Sequence, residues 1–205
     1  MSIEKQPTLY MIAGPNGAGK TTYAFRHLRA VTGSFLFVNL DEIARGVSPL
    51  EPSQGQQRAA RVALAMTRSM IDEGKSFSLE TTLSGKTHLR TLAAARAAGL
   101  AISLLYFAAP DVQTCLARIA RRVLEGGHDM APEDVRRRFS RSLANLPAYS
   151  EKCDVWRIFD ASVVLPKVVA EGRGNCLASL QPLHGLPAKL TQWLASLPPC
   201  REAPR

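Results

Sequence analysis

Apolar runs and stretches of helical periodicity alternate along this chain, the pattern of a parallel sheet with crossover helices. Strand-like runs fall at Leu9–Ala13, "SFLFVN" (34–39), "SFSLET" (76–81), "LAISLLYFAA" (100–109) and "VWRIFDAS" (155–162). Between them the spacing predicts a helix after the first run, a short one from "DEIARG" and a long one over 53–74. The apolar stripe of that long helix is expected at Ala59, Val62, Met66 and Met70. Another helix is expected from Thr87 to Ala98, ended by Gly99. Two arginine-bearing helices follow: "DVQTCLARIARRVLEG", capped by Asp111, and "APEDVRRRFSRSLANL", with Pro132 in its first turn. Beyond Pro166 come a short "KVVAEG" strand, a Gly/Asn break, an amphipathic "LPAKLTQWLASL" helix and a frayed end, "PPCREAPR". The fold class is α/β, a mostly parallel sheet with flanking helices.

Composition narrows the setting. At 205 residues, 46% hydrophobic and 21% charged, the chain has the make-up of an ordinary globular protein with a sizeable core. No apolar run approaches the roughly 20 residues of a membrane span, so a membrane partner is not expected. The start, "MSIEKQPTLY", has no signal-peptide h-region. Cys115, Cys153, Cys176 and Cys200 form no C-x-x-C pair and have no His at zinc spacing. They are expected as reduced thiols of a cytoplasmic protein. The net charge of +9, with arginines gathered between Arg118 and Arg141, suits nucleic acid, an anionic metabolite or an acidic protein partner.

The candidate chemistry begins where the first strand ends. Gly14-Pro15-Asn16-Gly17-Ala18-Gly19-Lys20-Thr21 fits the phosphate-binding P-loop at every fixed position, between a strand and a helix. Its glycines let backbone N–H groups curl around phosphate oxygens, and the helix adds its positive N-terminus. Residues 14–22, through Thr22, are therefore expected to bind ATP. Lys20 should reach the β- and γ-phosphates and the Thr21 hydroxyl should ligate Mg²⁺.

The acceptor of the phosphate is left to other features, at the carboxyl ends of the next strands where open α/β sheets bind ligands. In "VNLDEIARG", Asn39 and Asp41 follow an apolar strand and are both expected to meet the substrate. Asp41 suits a base toward an attacking hydroxyl, or equally the N-cap of the next helix; Glu42 beside it is expected to face solvent. In "FSLETTLSG", Glu80 ends a buried strand and stands in for an ordinary Walker-B acid, as a Mg²⁺ or substrate ligand, with Thr81 and Thr82 beside it. On the arginine helices Arg121 is expected in solvent and Arg122 at the edge of the apolar stripe. Periodicity does not choose between Arg136 and Arg138 for a second phosphate contact. "EGGHDMAPED" is a Gly-hinged turn carrying His128, suited to a mobile lid near a substrate. ATP rather than GTP is the default. A nucleic-acid-directed kinase, or a nucleotide switch without an acceptor, are the rival functions.

Taken in order, "GPNGAGKTT", "FVNLDEIA", "FSLETTLSG", a Tyr-Phe strand and "RIARRVLEGGHDMAPEDVRRRFSRSLANL" resemble the zeta-toxin family of P-loop kinases, most of all its small stand-alone bacterial members. The resemblance runs from about residue 8 to 162. It implies a nucleoside-monophosphate-kinase-like fold with a helical lid and transfer of the ATP γ-phosphate to the 3′-hydroxyl of UDP-N-acetylglucosamine. It also implies an antitoxin partner. Asp41 matches the family's base, Glu80 its acid near substrate and metal, and Lys20 and Thr21 its P-loop pair. Arg122 and Arg138 match its phosphate-contacting arginines, at a different spacing. Two departures are the shorter chain and Ala161 where small members often carry Asn. The organisation expected is a kinase domain over 1–165, lid at about 118–142, and a C-terminal extension over 166–205 packed on it, flexible from 198.

Overall fold

A computed structural model describes residues 6–34, 36–127 and 129–201, apart from the side chains of Pro52 and Ser53. The first apolar run is β1 (Thr8–Ala13), and the motif loop leads into α1 (Lys20–Thr32). The next elements are β2 (Phe37–Val38), α2 (Leu40–Val47), α3 (Pro52–Asp72), β3 (Phe77–Thr81) and α4 (Thr87–Ala97). Then come β4 (Ala101–Ala108), α5 (Val112–Leu124), α6 (Pro132–Ser150), β5 (Val155–Asp160), β6 (Lys167–Arg173), β7 (Cys176–Leu180) and α7 (Ala188–Ser196). They build one seven-stranded sheet in the order β2-β3-β1-β4-β5-β6-β7, parallel from β2 to β5 and antiparallel beyond. The α/β, mostly parallel architecture is the one expected.

The pleat divides the core in two. Leu9, Met11, Phe77, Leu79, Leu104, Tyr106 and Trp156 face α3, α4, α6 and α7. On the other face Ile12, Leu105, Phe107 and Phe159 meet α1 and α5. Central strands covered on both sides read as continuous apolar runs, which is why β1 and β4 were legible. The Tyr106 hydroxyl, buried between sheet and α6, pairs with Ser142 at 3.0 Å, and burial pushes its pKa well above the usual phenol range.

Several expectations need correcting. β2 is only two residues long, against six expected, and Phe35 lies outside the described residues. On α3, Val62 and Met66 are exposed, and the inward stripe runs through Gly55, Ala59, Ala63 and Thr67. The reason is close backbone approach: a Cβ at Gly55 would stand 2.9 Å from the Ala44 carbonyl of α2. A seam of small residues carries little hydrophobic signal. The Gly/Asn break is a hairpin turn into β7, a strand not foreseen.

The thiols also differ. Cys176 and Cys200 form a disulfide, while Cys115 and Cys153 are free and buried. Burial pushes the Cys115 thiol to about 11 and the Cys153 thiol to about 12. Spacing along the chain could not reveal the pair, because α7 carries the chain back along β7. Residues 198–200, expected to fray, are tied there by Leu177 N–H to Pro198 O, Cys200 N–H to Leu177 O and the disulfide.

Residues after 165 thus extend the sheet. Trp156 on β5 is fully buried and donates its indole N–H to the Gly174 carbonyl at 2.9 Å. Gly172 on β6 leaves room for that ring, since a Cβ there would lie 2.1 Å from it. Gly172→Val is expected to destabilise by about 2–3 kcal/mol through overpacking. In a thermal melt that lowers the midpoint by roughly 4–12 °C for a chain of this size. An unchanged midpoint would mean that β6 does not pack as described.

Candidate active site

Parallel register brings the ends of three strands side by side. Ile12 lies beside Glu80, and Val38 beside Leu79, so Asn39 follows next to Glu80. The motif loop leaves β1 two residues after Ile12. It turns at Gly17, whose φ of +79° and whose Cβ, 2.6 Å from the Cys115 carbonyl if present, admit no other residue without displacement. The loop therefore packs directly on the start of α5. At the head of α1, Gly19 caps in the left-handed region, and neither a capping side chain nor an acidic residue in the first turn answers the helix N-terminus. The first-turn amides and the positive end of the helix dipole are left to an anion.

Glu80 is the hub. The Thr21 hydroxyl donates to it at 3.0 Å, the Asn39 side-chain amide donates at 2.9 Å, and Lys20 Nζ stands 3.8 Å away. Lys20 also donates to the Pro15 carbonyl at 2.9 Å. Burial pulls the Lys20 ammonium below its ordinary range, opposed by the charges of Glu80 and Asp41. Burial likewise pushes the Glu80 carboxyl upward, opposed by Lys20 and the Thr21 hydrogen bond.

Asn39, not Asp41, caps α2. Its Oδ1 accepts from the Asp41 N–H at 2.9 Å and the Glu42 N–H at 3.3 Å. Asp41 sits one residue into the helix, and its side chain lines the cavity. That cavity, of about 580 Å³, is walled by the motif loop, the start of α1, the outer face of α2, Glu80 and the second half of α5.

Of the expected site residues, Asn16, Gly17, Gly19, Lys20, Thr21, Thr22, Asp41, Glu80 and Arg122 meet around this space. Gly14, Pro15 and Ala18 shape the loop behind it. Asn39 is buried outside it. Thr81 and Thr82 turn their hydroxyls to local partners, the Leu83 N–H and Ser84. Arg138, half-buried on α6, does not line it. His128 lies outside the described residues.

Sequence reasoning missed other members of the wall. Glu42 and Arg121, both expected to face solvent, line the cavity, with Glu42 3.6 Å from Arg45 and Arg121 3.1 Å from Glu125. Arg45 also lines it, one turn after Asp41, a spacing that could have found it. Phe25, one turn after Thr21, is largely exposed there and packs edge-on against Phe37. Arg118 donates to the carbonyls of Gly17 and Ser162. At the end of α5, Gly127 lies against Arg122; a Cβ there would come within 2.5 Å of its side chain. The donor set suits a polyphosphate: Lys20, Arg45, Arg118, Arg121 and Arg122 line the cavity together with the glycine-rich loop and the head of α1. Among the described residues no group of three His, Cys, Asp or Glu is placed to hold a metal alone. Thr21 and Glu80 are the side-chain oxygens that a hard cation such as Mg²⁺ can use beside phosphate.

The model of the AAA_33 family, described as an AAA domain, matches residues 9–146. The chain belongs to that family. An uncharacterised protein of Haemophilus influenzae is 32% identical over 126 residues, which is 62% of this chain and 88% of that one. Among solved structures, the AvrRxo1-ORF1:AvrRxo1-ORF2 complex with sulphate ions is similar at a TM-score of 0.68 and 18% identity. The match covers 95% of this chain but 65% of the other, so the chain spans about two thirds of that neighbour's length. The PezAT chromosomal toxin–antitoxin system of Streptococcus pneumoniae is similar at a TM-score of 0.62 and 16% identity, over 81% of this chain and 72% of that one. These likenesses establish a P-loop kinase-like fold.

Because burial holds the Glu80 pKa above its unfolded value, the ionised carboxylate costs stability as pH rises through the folded value. Glu80→Gln does not ionise. Its melting midpoint is expected to exceed the wild type's by about 3 °C at pH 8 and to match it near pH 4. Equal midpoints at pH 8, or a lower one for the variant, would contradict the buried-carboxylate account.

Proposed function

We propose that the protein is an ATP-dependent phosphotransferase that moves the γ-phosphate to a hydroxyl of a small metabolite, with UDP-N-acetylglucosamine the first candidate acceptor. The observation that carries this is Asp41: relieved of capping by Asn39, it lines the same cavity as Lys20 and Thr21. A pure nucleotide switch has no use for a carboxylate there.

In the proposed step the acceptor oxygen attacks the γ-phosphorus, and the bond from that phosphorus to the β–γ bridging oxygen breaks. Asp41 takes the hydroxyl proton and ADP leaves. The loop amides and Lys20 hold the phosphates, and Arg122 offsets charge on the transferring group. Thr21 and Glu80 are the residues that fit Mg²⁺, which when bound neutralises phosphate oxygens. Arg138, which does not line the cavity, would join the site through closure of a lid over about 118–142, hinged at Gly126 and Gly127. The kinase unit is then residues 1–165, with 166–205 extending it.

The choice of acceptor rests on the zeta-toxin resemblance. Arg45, Arg118 and Arg121 on the cavity wall support an anionic acceptor, and the PezAT likeness supports an antitoxin partner. This reading sets the protein in the cytoplasm, with its ATP. Among the described residues no helix is long and apolar enough to cross a membrane, while Cys176–Cys200 is the bond a reducing compartment would open.

The test is transfer of labelled γ-phosphate, offered UDP-sugars, nucleosides and oligonucleotides. Label is expected on a UDP-sugar, with Asp41→Asn lowering the rate roughly 10²–10⁴-fold at nearly unchanged ATP affinity. Label on an oligonucleotide end would favour a nucleic-acid kinase, and label only in free phosphate an ATPase. Full activity of Asp41→Asn would remove the base.

A further inference from the structure

Asn39 lies between the two carboxylates of the site without lining the space between them. It is 5% exposed, in extended backbone just after β2. One end of its amide accepts from the Asp41 and Glu42 N–H groups; the other donates to Glu80 Oε2. Capping alone does not require Asn, since Asp, Ser and Thr cap as well. A primary amide is needed when one planar group must both accept from a helix and donate to a carboxylate at neutral pH.

What hangs on that group is Asp41. α2 has eight residues, of which Ala44 is the buried one, and a helix so short does not hold itself together in water. Packing on α3 restrains its far side. Its first turn is restrained by Asn39. Glu80, at the other end of the amide, is anchored in β3 and joined to α1 through Thr21.

We propose that Asn39 is a positioning residue: its amide locks the Asp41-bearing turn of α2 to Glu80, so that the proposed base and the acid at the end of β3 keep one fixed separation. Asn39 therefore acts on the acceptor hydroxyl only through Asp41, and touches no substrate itself. The inference rests on the phosphotransferase reading for its effect on rate, but the tie itself is testable without turnover. A misplacement of about 1 Å at a reacting group costs on the order of 10²-fold in rate.

Asn39→Asp separates the tie from the cap. It keeps the capping oxygen but sets a second carboxyl against Glu80, in a neighbourhood that also holds Lys20, Asp41 and Glu42. Two such carboxyls share a proton at low pH and repel when both ionise. Asn39→Ser keeps a cap and cannot reach Glu80. In both variants the Asp41 and Glu42 amides are expected to stay protected in hydrogen exchange.

Phosphotransfer by Asn39→Asp is expected to fall about 10²-fold at pH 8. Asn39→Ser, which keeps a cap and loses the donor to Glu80, is expected to show a loss of similar size, in kcat and not in the KM for ATP. The melting midpoint of Asn39→Asp at pH 8 should fall below that of Asn39→Ser, because only Asn39→Asp sets a carboxylate against Glu80. Wild-type transfer and midpoint for Asn39→Asp at pH 8 would overturn the tie. So would an unchanged kcat in Asn39→Ser, or loss of amide protection in Asn39→Asp, which would leave a cap and nothing more. If Asp41→Asn proves fully active, the base assignment falls, while the exchange and melting arms still decide the tie.

Discussion

A carboxylate buried at the end of a central strand is costly unless its surroundings answer it, and Glu80 is answered from three elements at once. Thr21 binds it from α1, Asn39 from the end of β2, and Lys20 stands within ion-pair reach. Those contacts offset only part of the desolvation, so the carboxyl remains harder to ionise than in water. Such a residue is kept where its charge is useful. Here it stands beside the glycine-rich loop that follows β1, and through Thr21 and Asn39 it links the helix after that loop to the helix bearing Asp41.

The sheet makes the link possible. Because β1, β2 and β3 are parallel neighbours in close register, their carboxyl ends discharge the motif loop, Asn39 and Glu80 into one small region. α5, arriving from β4, covers the far side and supplies Arg118, Arg121 and Arg122. The loop must pass close under the start of α5, which is why Gly17 has no space for a side chain. Stability and site are thus bound to the same strand order. The C-terminal residues play a different part, covering β5 with β6 and closing their own end with Cys176–Cys200.

What could be read from sequence divides along physical lines. β1 and β4 are covered on both faces, so their runs are almost wholly apolar; β3 and β5 still show through Phe77, Leu79, Trp156, Ile158 and Phe159, and the motif loop declares itself by glycine spacing. Asp41 was legible only as a choice between base and cap, because the cap lay two residues upstream at Asn39 and one-dimensional spacing does not say which side chain turns back. On α3, Ala59 and Met70 are buried as expected, while Val62 and Met66 were misplaced because Gly55, Ala63 and Thr67 on the inward face pack by closeness rather than by apolar area. Arg45 and Phe25 were missed although each repeats a motif residue one helical turn later. The disulfide and β7 depend on how the chain returns from α7, which no local pattern records.

The central claim is spatial: donor phosphate and Asp41 share one cavity with the acceptor between them. The measurement that tests it most directly is a crystal structure of the protein with Mg²⁺ and a non-hydrolysable ATP analogue. The γ-phosphoryl group is expected in contact with Lys20, and the Asp41 carboxylate on the side of the phosphorus opposite the bridging oxygen, with room for one hydroxyl between. A nucleotide bound with Asp41 turned away from that side, or with its phosphates outside the loop, would contradict it.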